Sequence, residues 1–485
     1  MHGETTAGAG EQTVDLAIIG AGPAGMAAAL TAVEAGLSVR VIDEQARAGG
    51  QILRQPPRAF QVAGWLAERV YRRPRAVLAT VEQHPQIEWC WQTTVLGVLD
   101  EGARLPGQPH RLWLHGPSGS TELAARAVLI AAGCHDMAMP FPGWNLPGVM
   151  AAGGVQAMVK SQQFLPGERF VFAGTHPLQL IVAEQMLRAG GIVAGVYFAQ
   201  PFARFLQVLR DPLLLAQNAT RMLYIAKVLW RLRRAGVPVH FSRTVVAAEG
   251  QCRLERVAVA AVSPDGRTVT PKGFIAADRL GVCYSFLVTS ELARQAGAAV
   301  QWSADQGGWV VITDTWQRTA VPGLYAAGET TGVAGAEAAL ESGRLAALAA
   351  LADLGTLSAE AAAARARPVQ RKLGSLRRFA SLLAEVAMPP EQLFDTLMDD
   401  TVVLCKCQEI TAGTVREALL RYPAMLTANA VKLRTRVGMG LCQGRYCSYP
   451  LTRLIAAQTG RSEAAIGPFR AQLPIRPVPI SELVD

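Results

Sequence analysis

Four cysteines near the C-terminus, Cys405, Cys407, Cys442 and Cys447, fall in a C-x-C, long gap, C-x-x-x-x-C pattern. Four thiolates in two close pairs suit a [2Fe-2S] cluster, where each iron takes two protein sulfurs and shares the bridging sulfides. Zinc is the rival. A zinc knuckle leaves about two to four residues between paired ligands so that a turn aims both sulfurs at one tetrahedral ion, and the lone Lys406 between Cys405 and Cys407 is tight for that. The spacing therefore favours a cluster over zinc, and zinc and structural cysteines stand as alternatives. Residues 411–420 and 446–459 read as helices that start beside the two pairs, where free amides favour a negatively charged cluster. Gly438, Gly440 and Gly444 leave room for the backbone to wrap it.

A second kind of chemistry opens the chain. An apolar strand at 14–19 leads into Gly20, Ala21, Gly22, Pro23, Ala24 and Gly25, an alanine-rich helix through residue 35, and a strand at 39–42 ending at Asp43. Gly20 permits the tight turn, Gly22 lets the backbone approach a pyrophosphate, and Gly25 lets helix and strand touch. The helix N-terminus supplies amides and positive dipole to the phosphates. Asp43 is placed to accept from a ribose hydroxyl. The uncharged run at 16–33 is thus a nucleotide loop and not a membrane span.

The 485 residues, half of them hydrophobic, are enough for about three domains. Eight cysteines behind a polar start at 1–12 without a secretory leader predict a reducing cytoplasm, where cysteines serve more often as ligands than as crosslinks. The formal charge of +9 attracts anionic partners without choosing among them. Nucleic acid is set aside, because basic residues interleaved with aromatics do not recur as a stacking platform. Residues 220–234 combine apolar positions near helical spacing with Arg221, Lys227, Arg231, Arg233 and Arg234. A helix covering its own domain is favoured there over one lying on a membrane surface.

A further strand, helix and strand are predicted at 169–173, 178–189 and 192–197. The loop between the first two reads Gly174, Thr175, His176, Pro177, Leu178, Gln179, which puts bulky residues where a pyridine-nucleotide loop repeats glycine. Tight NAD(P)H binding is not expected. His176 is read as a capping or packing residue. Cys134, His135 and Asp136 are rejected as a nucleophile triad, since adjacent residues cannot point at one another. Cys90, Cys252 and Cys283 are read as buried small apolar residues.

Several segments resemble two-domain flavoproteins. Residues 126–133 resemble the strand and small-residue turn that returns beneath the dinucleotide, and residues 321–329 resemble the late segment, with Glu329 where Asp is usual. Gly49, Gly50 and Gln51 match the loop after the first ribose-binding strand. The resemblance implies FAD, and it carries cofactor contacts over to Glu44, Gly50, Gln51, Val95, Ala132, Gly133, Gly328, Glu329 and Ala336. A helix beginning within 334–343 would point its positive end at the flavin.

Residues 405–407, 438–447, 468–470 and 474–479, together with 141–149, resemble a family: the FAD and [2Fe-2S] α-type subunits of heteromeric amino-acid dehydrogenases. Members include the FAD subunit of hydrogen cyanide synthase, the corresponding subunits of opine oxidases and the α subunits of proline and hydroxyproline dehydrogenases. The implied fold is α/β, a glutathione-reductase-like flavoprotein with two dinucleotide-binding domains and a small α-helical, bacterioferritin-associated-ferredoxin-like [2Fe-2S] domain. Its expected parts are 1–148 and 269–352 for the FAD domain, 149–268 for an inserted degenerate nucleotide domain, 353–400 for a helical linker and 401–485 for the cluster domain and tail. The resemblance further implies an FAD-dependent catalytic β subunit that oxidises an amino acid, opine or secondary amine, with room for a small third subunit and a membrane quinone as acceptor. It also allows FMN between subunits, ATP in the second nucleotide domain, and a peripheral position on the inner face of the membrane. A self-sufficient NAD(P)H oxidoreductase and a non-catalytic redox sensor are the competing readings. No catalytic residue is assigned, and the amine itself is not legible.

Overall fold

The computed structural model describes residues 13–99 and 107–482, so the polar start at 1–12 lies outside the described residues. The first nucleotide unit is a seven-stranded sheet. Ile87–Trp91, Val39–Asp43, Val14–Ile19 and Gly119–Ile130 run parallel in that spatial order. The first half of Gly119–Ile130 then pairs antiparallel with His110–Gly116, which pairs with Thr94–Val98, while its second half pairs in parallel with Leu324–Ala326. Strand Val14–Ile19 is buried between neighbours on both sides, and its apolar run is interrupted at Asp15, which pairs with Ser38 and Arg126.

Helices Pro23–Val33 and Ala336–Asp353 pack closely on this sheet because both present alanine and glycine. A Cβ on Gly343 would lie 2.0 Å from the Ala24 carbonyl oxygen. The late segment therefore packs on the first unit.

The inserted unit is a five-stranded parallel sheet, in the order Val239–Phe241, Ile192–Phe198, Arg169–Gly174, Arg279–Cys283 and Val149–Ala151. A three-stranded antiparallel sheet, Arg243–Glu249, Arg256–Val262 and Val269–Ala276, sits beside it. Because Arg279–Cys283 pairs inside the larger sheet, the inserted unit runs past the expected boundary at 268. No glycine or proline cluster marks that return, and a strand re-entering a sheet leaves no local signal.

The long helix Ala359–Ala387 leads to the last domain, a short hairpin of Val403–Cys405 and Ile410–Thr411 followed by Ala412–Arg421, Ala428–Thr435, Ser448–Thr459 and Glu463–Ile466. This domain shares one apolar core with the inserted unit and with residues 137–146: Phe141, Trp144, Leu280, Leu404, Leu451 and Ile455 belong to a single buried cluster. Among the described residues no helix is long and apolar enough to cross a membrane.

Candidate cofactor sites

Four loops meet at the C-terminal edge of the first sheet: residues 20–25, 49–52, 131–134 and 327–336. Their spacing depends on missing side chains. A Cβ on Gly20 (φ +106°) would lie 2.4 Å from the Ala131 oxygen, one on Gly25 1.9 Å from the Gly20 oxygen, and one on Gly50 (φ +59°) 2.8 Å from the Gly22 Cα. Gly22 ends the strand side of helix Pro23–Val33, whose first residue, Pro23, needs no amide partner. By contrast, the Cβ positions of Gly133 and Gly335 face open space. The donor set and this glycine-lined cradle fit a dinucleotide.

The acids take defined places. Asp43 accepts from the Ala21 amide at 2.6 Å and the Gln45 amide at 2.7 Å, which fixes it under the phosphate loop, while burial pushes its pKa up against those bonds. Its neighbour Glu44 is 3.7 Å from Arg476 of the C-terminal tail. Val95 lies in strand Thr94–Val98 with its side chain in the core, leaving only its backbone for a cofactor. Ala132 and Gly133 follow strand Gly119–Ile130, and Gly328 starts the turn that Glu329 shares. The two Glu329 oxygens accept from the Cys134 thiol at 2.6 Å and the Gly335 amide at 2.9 Å. Burial, and then the Glu329 charge, push the Cys134 pKa well above its ordinary value, so it remains a thiol donor. Ala336 opens the helix Ala336–Asp353 beside this pair, as expected.

The loop after Gly50 is held by a residue the sequence did not single out. Gln51 donates through Nε2 to the Cys134 carbonyl at 2.6 Å, and Lys160 donates to the Gln51 and Ile52 carbonyls at 2.7 and 3.0 Å. Lys160 is only 8 % exposed and pairs with no carboxylate among the described residues. Burial, reinforced by Arg54, lowers its pKa to about 7. Arg54 itself has a buried Nε without a partner. Among the described residues, Lys160, buried beside a glycine cradle without a carboxylate partner, and Arg54, which faces only Asp43, fit an anionic ligand. A lone lysine ending an apolar helix gives no sequence pattern that would have revealed this.

The second nucleotide loop is closed by its own backbone. The Thr175 and His176 amides both donate to the Cys283 carbonyl, at 2.9 and 3.0 Å, and so are not offered to phosphate. His176 Nδ1 accepts from the Leu178 amide at 3.2 Å and its ring meets Phe286 edge-on, the capping and packing role expected. Burial lowers its pKa to about 4, keeping it neutral.

At the other end of the chain, the thiols of Cys405 and Cys447 are in hydrogen-bonding reach, as are those of Cys407 and Cys442. The Cys447 thiol also feels the charges of Cys442 and Cys407, so the four thiols lie together. The Cys447 thiol, then the Gly438, Gln408 and Cys407 amides, pull the Cys405 pKa to about 6 against its burial, and the Tyr446 and Gly444 amides point at Cys442. The expected helices start beside the pairs: Thr411 caps Ala412–Arg421, and Ser448–Thr459 begins directly after Cys447. A Cβ on Gly440 would lie 2.2 Å from the Cys407 Cβ, and Gly438 and Gly444 face the Phe469 ring. Cys405 and Cys447 are buried while Cys407 is exposed, so one edge of the site meets solvent.

Cys134, His135 and Asp136 point three ways, to Glu329, to the Arg445 carbonyl at 3.1 Å and to the Gly153 amide at 3.2 Å. They form no triad. The His135 contact joins the turn after Gly133 to the loop between Cys442 and Cys447. Of the remaining cysteines, Cys283 is buried and Cys90 partly so, but Cys252 is exposed; it sits in the turn before strand Arg256–Val262, which corrects its reading as a core residue.

Residues 14–349 match the pyridine nucleotide-disulphide oxidoreductase family and residues 403–457 the BFD-like [2Fe-2S] binding domain. The chain is 33% identical to hydrogen cyanide synthase subunit HcnB of Pseudomonas protegens over 96% of each chain. It is also 33% identical to an opine oxidase subunit of Rhizobium meliloti, over 97% of this chain and 87% of the relative. The chain belongs to this family of FAD and [2Fe-2S] oxidoreductase subunits. L-proline dehydrogenase from P. horikoshii has the same fold, with a TM-score of 0.68 at 21% identity over 98% of this chain and 80% of that one. Thioredoxin reductase from T. acidophilum shares the two nucleotide units, with a TM-score of 0.52 at 19% identity over 71% of this chain and 99% of that one. The first family match implies FAD and the second a [2Fe-2S] cluster.

Proposed function

We propose that this chain is the electron-transfer subunit of a heteromeric dehydrogenase. An FAD-dependent β subunit oxidises the C–N bond of an amino acid, opine or proline-type secondary amine, and electrons pass through this chain to an acceptor such as a membrane quinone. The observation that supports this reading is the His135–Arg445 contact, which joins the turn after Gly133 to the loop between Cys442 and Cys447. FAD supplies two-electron uptake, and the [2Fe-2S] cluster supplies one-electron transfer. In this reading Gly20, Gly22, Pro23, Ala24, Gly25 and Gly50 seat the pyrophosphate, Asp43 and Glu44 lie at the ribose, and Gln51, Gly133 and Glu329 border the flavin. Cys405, Cys407, Cys442 and Cys447 hold the cluster, and the exposed Cys407 edge faces the acceptor. A small third subunit and a position at the inner face of the cell membrane complete the proposal.

The loop closed on Cys283 argues against electron entry from NAD(P)H and against ATP phosphates at the same place. The test is anaerobic mixing of the purified chain with NADH, then with the co-expressed β subunit and a panel of amines and opines. Flavin absorbance is expected to persist with NADH and to bleach with the matching amine. Prompt bleaching by NADH alone overturns the proposal. Flavin extraction from the same complex reports FMN directly.

A further inference from the structure

Residues 202–234 form Phe202–Leu206, Gln207–Arg210, Pro212–Gln217 and Ala219–Arg234 along one side of the inserted unit. Helix Ala219–Arg234 packs inward through Val228 and Leu232, and its Arg231 and Arg221 are occupied by Glu184 at 2.6 Å and Glu337 at 3.3 Å. This is the self-covering helix the sequence favours, but only on that face. Its opposite face carries Leu223 (70 % exposed), Lys227, Trp230 (57 % exposed), Arg233 and Arg234, so aliphatic, aromatic and cationic side chains alternate over three turns. Lys227 and Arg233 pair with no carboxylate among the described residues, and Arg234 lies over the Trp230 ring at 5.4 Å. Leu209 (63 % exposed) and Leu213 (69 % exposed) extend the same segment. Within 202–234 there are seven Arg and Lys and one carboxylate, Asp211, which is used to cap Pro212–Gln217.

We infer that this face is a docking surface for an anionic phospholipid layer, with Lys227, Arg233 and Arg234 among the headgroup phosphates and Leu209, Leu213, Leu223 and Trp230 at the acyl boundary. Large apolar side chains stranded in water are costly unless something covers them. The occupant is identified by charge: the exposed face presents cations without acids, and apolar and basic residues interleaved on one helix suit a headgroup layer, where stems and rings go down and charges stay up. A basic cluster of this kind draws anionic lipid and loses its hold as salt screens it. The inference stands apart from the electron route, because lipid binding is measured without substrate.

The full-length protein is sedimented with phosphatidylcholine vesicles that contain or lack phosphatidylglycerol. Binding is expected only with phosphatidylglycerol and is released by salt. The combined variant Lys227→Gln, Arg233→Gln and Arg234→Gln is expected to bind roughly a hundredfold more weakly, at about fivefold per basic residue. Leu223→Ser with Trp230→Ser is expected to weaken binding at low salt as well. Retained flavin absorbance confirms that each variant is folded, and dye reduction in solution by the assembled complex stays at the wild-type rate. Wild-type protein that ignores phosphatidylglycerol vesicles, or a triple variant that binds as tightly as wild type, overturns the inference. So does loss of the β subunit from the triple variant together with no vesicle binding by the wild type, which would make the face a protein interface.

Discussion

Lys160 is a buried cation with no carboxylate partner among the described residues. An unfolded chain keeps its ammonium protonated up to about pH 10.5, whereas the folded, FAD-free chain releases the proton near pH 7. Between those values unfolding takes up a proton, so raising the pH across that window stabilises the fold. Lys160 is expected to raise the melting temperature of the FAD-free protein as the pH rises from 7 towards 10, and the Lys160→Met variant is expected to lose that share of the pH dependence relative to wild type. The same variant is expected to bind FAD more weakly, since the Gln51–Ile52 turn loses its anchor; equal flavin retention by equilibrium dialysis would count against this. At the cysteines, Cys442→Ser is expected to abolish the reduced cluster's paramagnetic signal and leave the flavin spectrum intact, because the two sites share no side chain. A cluster signal that survives in that variant refutes the ligand assignment.

Among the elements, the segment from Phe141 to Val149 gains a physical role. Trp144 is buried, donates from its indole to the Val403 carbonyl at 2.6 Å, and accepts Lys406 both on its carbonyl at 2.9 Å and over its ring at 4.0 Å. The residue between the first two cysteines is thus clamped to the turn that leaves the flavin domain. Trp144→Ala is expected to cost about 3–5 kcal/mol of the cluster domain's stability, which calorimetry would show as an earlier transition. The sequence made the regular elements legible wherever pattern and glycine agreed: Val14–Ile19, Leu178–Arg188 and Ala412–Arg421 lie within a residue or two of expectation. What it concealed depends on contacts between distant segments. Lys160 meets Gln51, Cys134 meets Glu329 and Trp144 meets Val403, and none of these pairs has a spacing or composition that betrays it. The place of strand Arg279–Cys283 in the inserted sheet is hidden for the same reason.

Across the whole molecule, the C-terminal tail runs from the cluster domain back over the flavin domain. Phe469 lies against Gly438 and Gly444 and accepts Arg294 on its carbonyl; farther on, the Ile475 amide donates to the Leu96 carbonyl at 2.8 Å and Arg476 approaches Glu44. Removing residues 472–482 spares Phe469, so the cluster signal is expected to stay, while FAD dissociates roughly tenfold faster, as the loss of about 1.4 kcal/mol at the adenine end would give. Stopped dilution into a flavin trap measures that rate. The cysteine module is moored at Trp144 upstream and at Ile475 downstream, which holds it against the flavin domain at two points. In the proposed route the distance an electron tunnels inside this chain is then constant, and the internal step is expected to ignore solvent viscosity, leaving any diffusive delay to the molecule that arrives at the Cys407 edge.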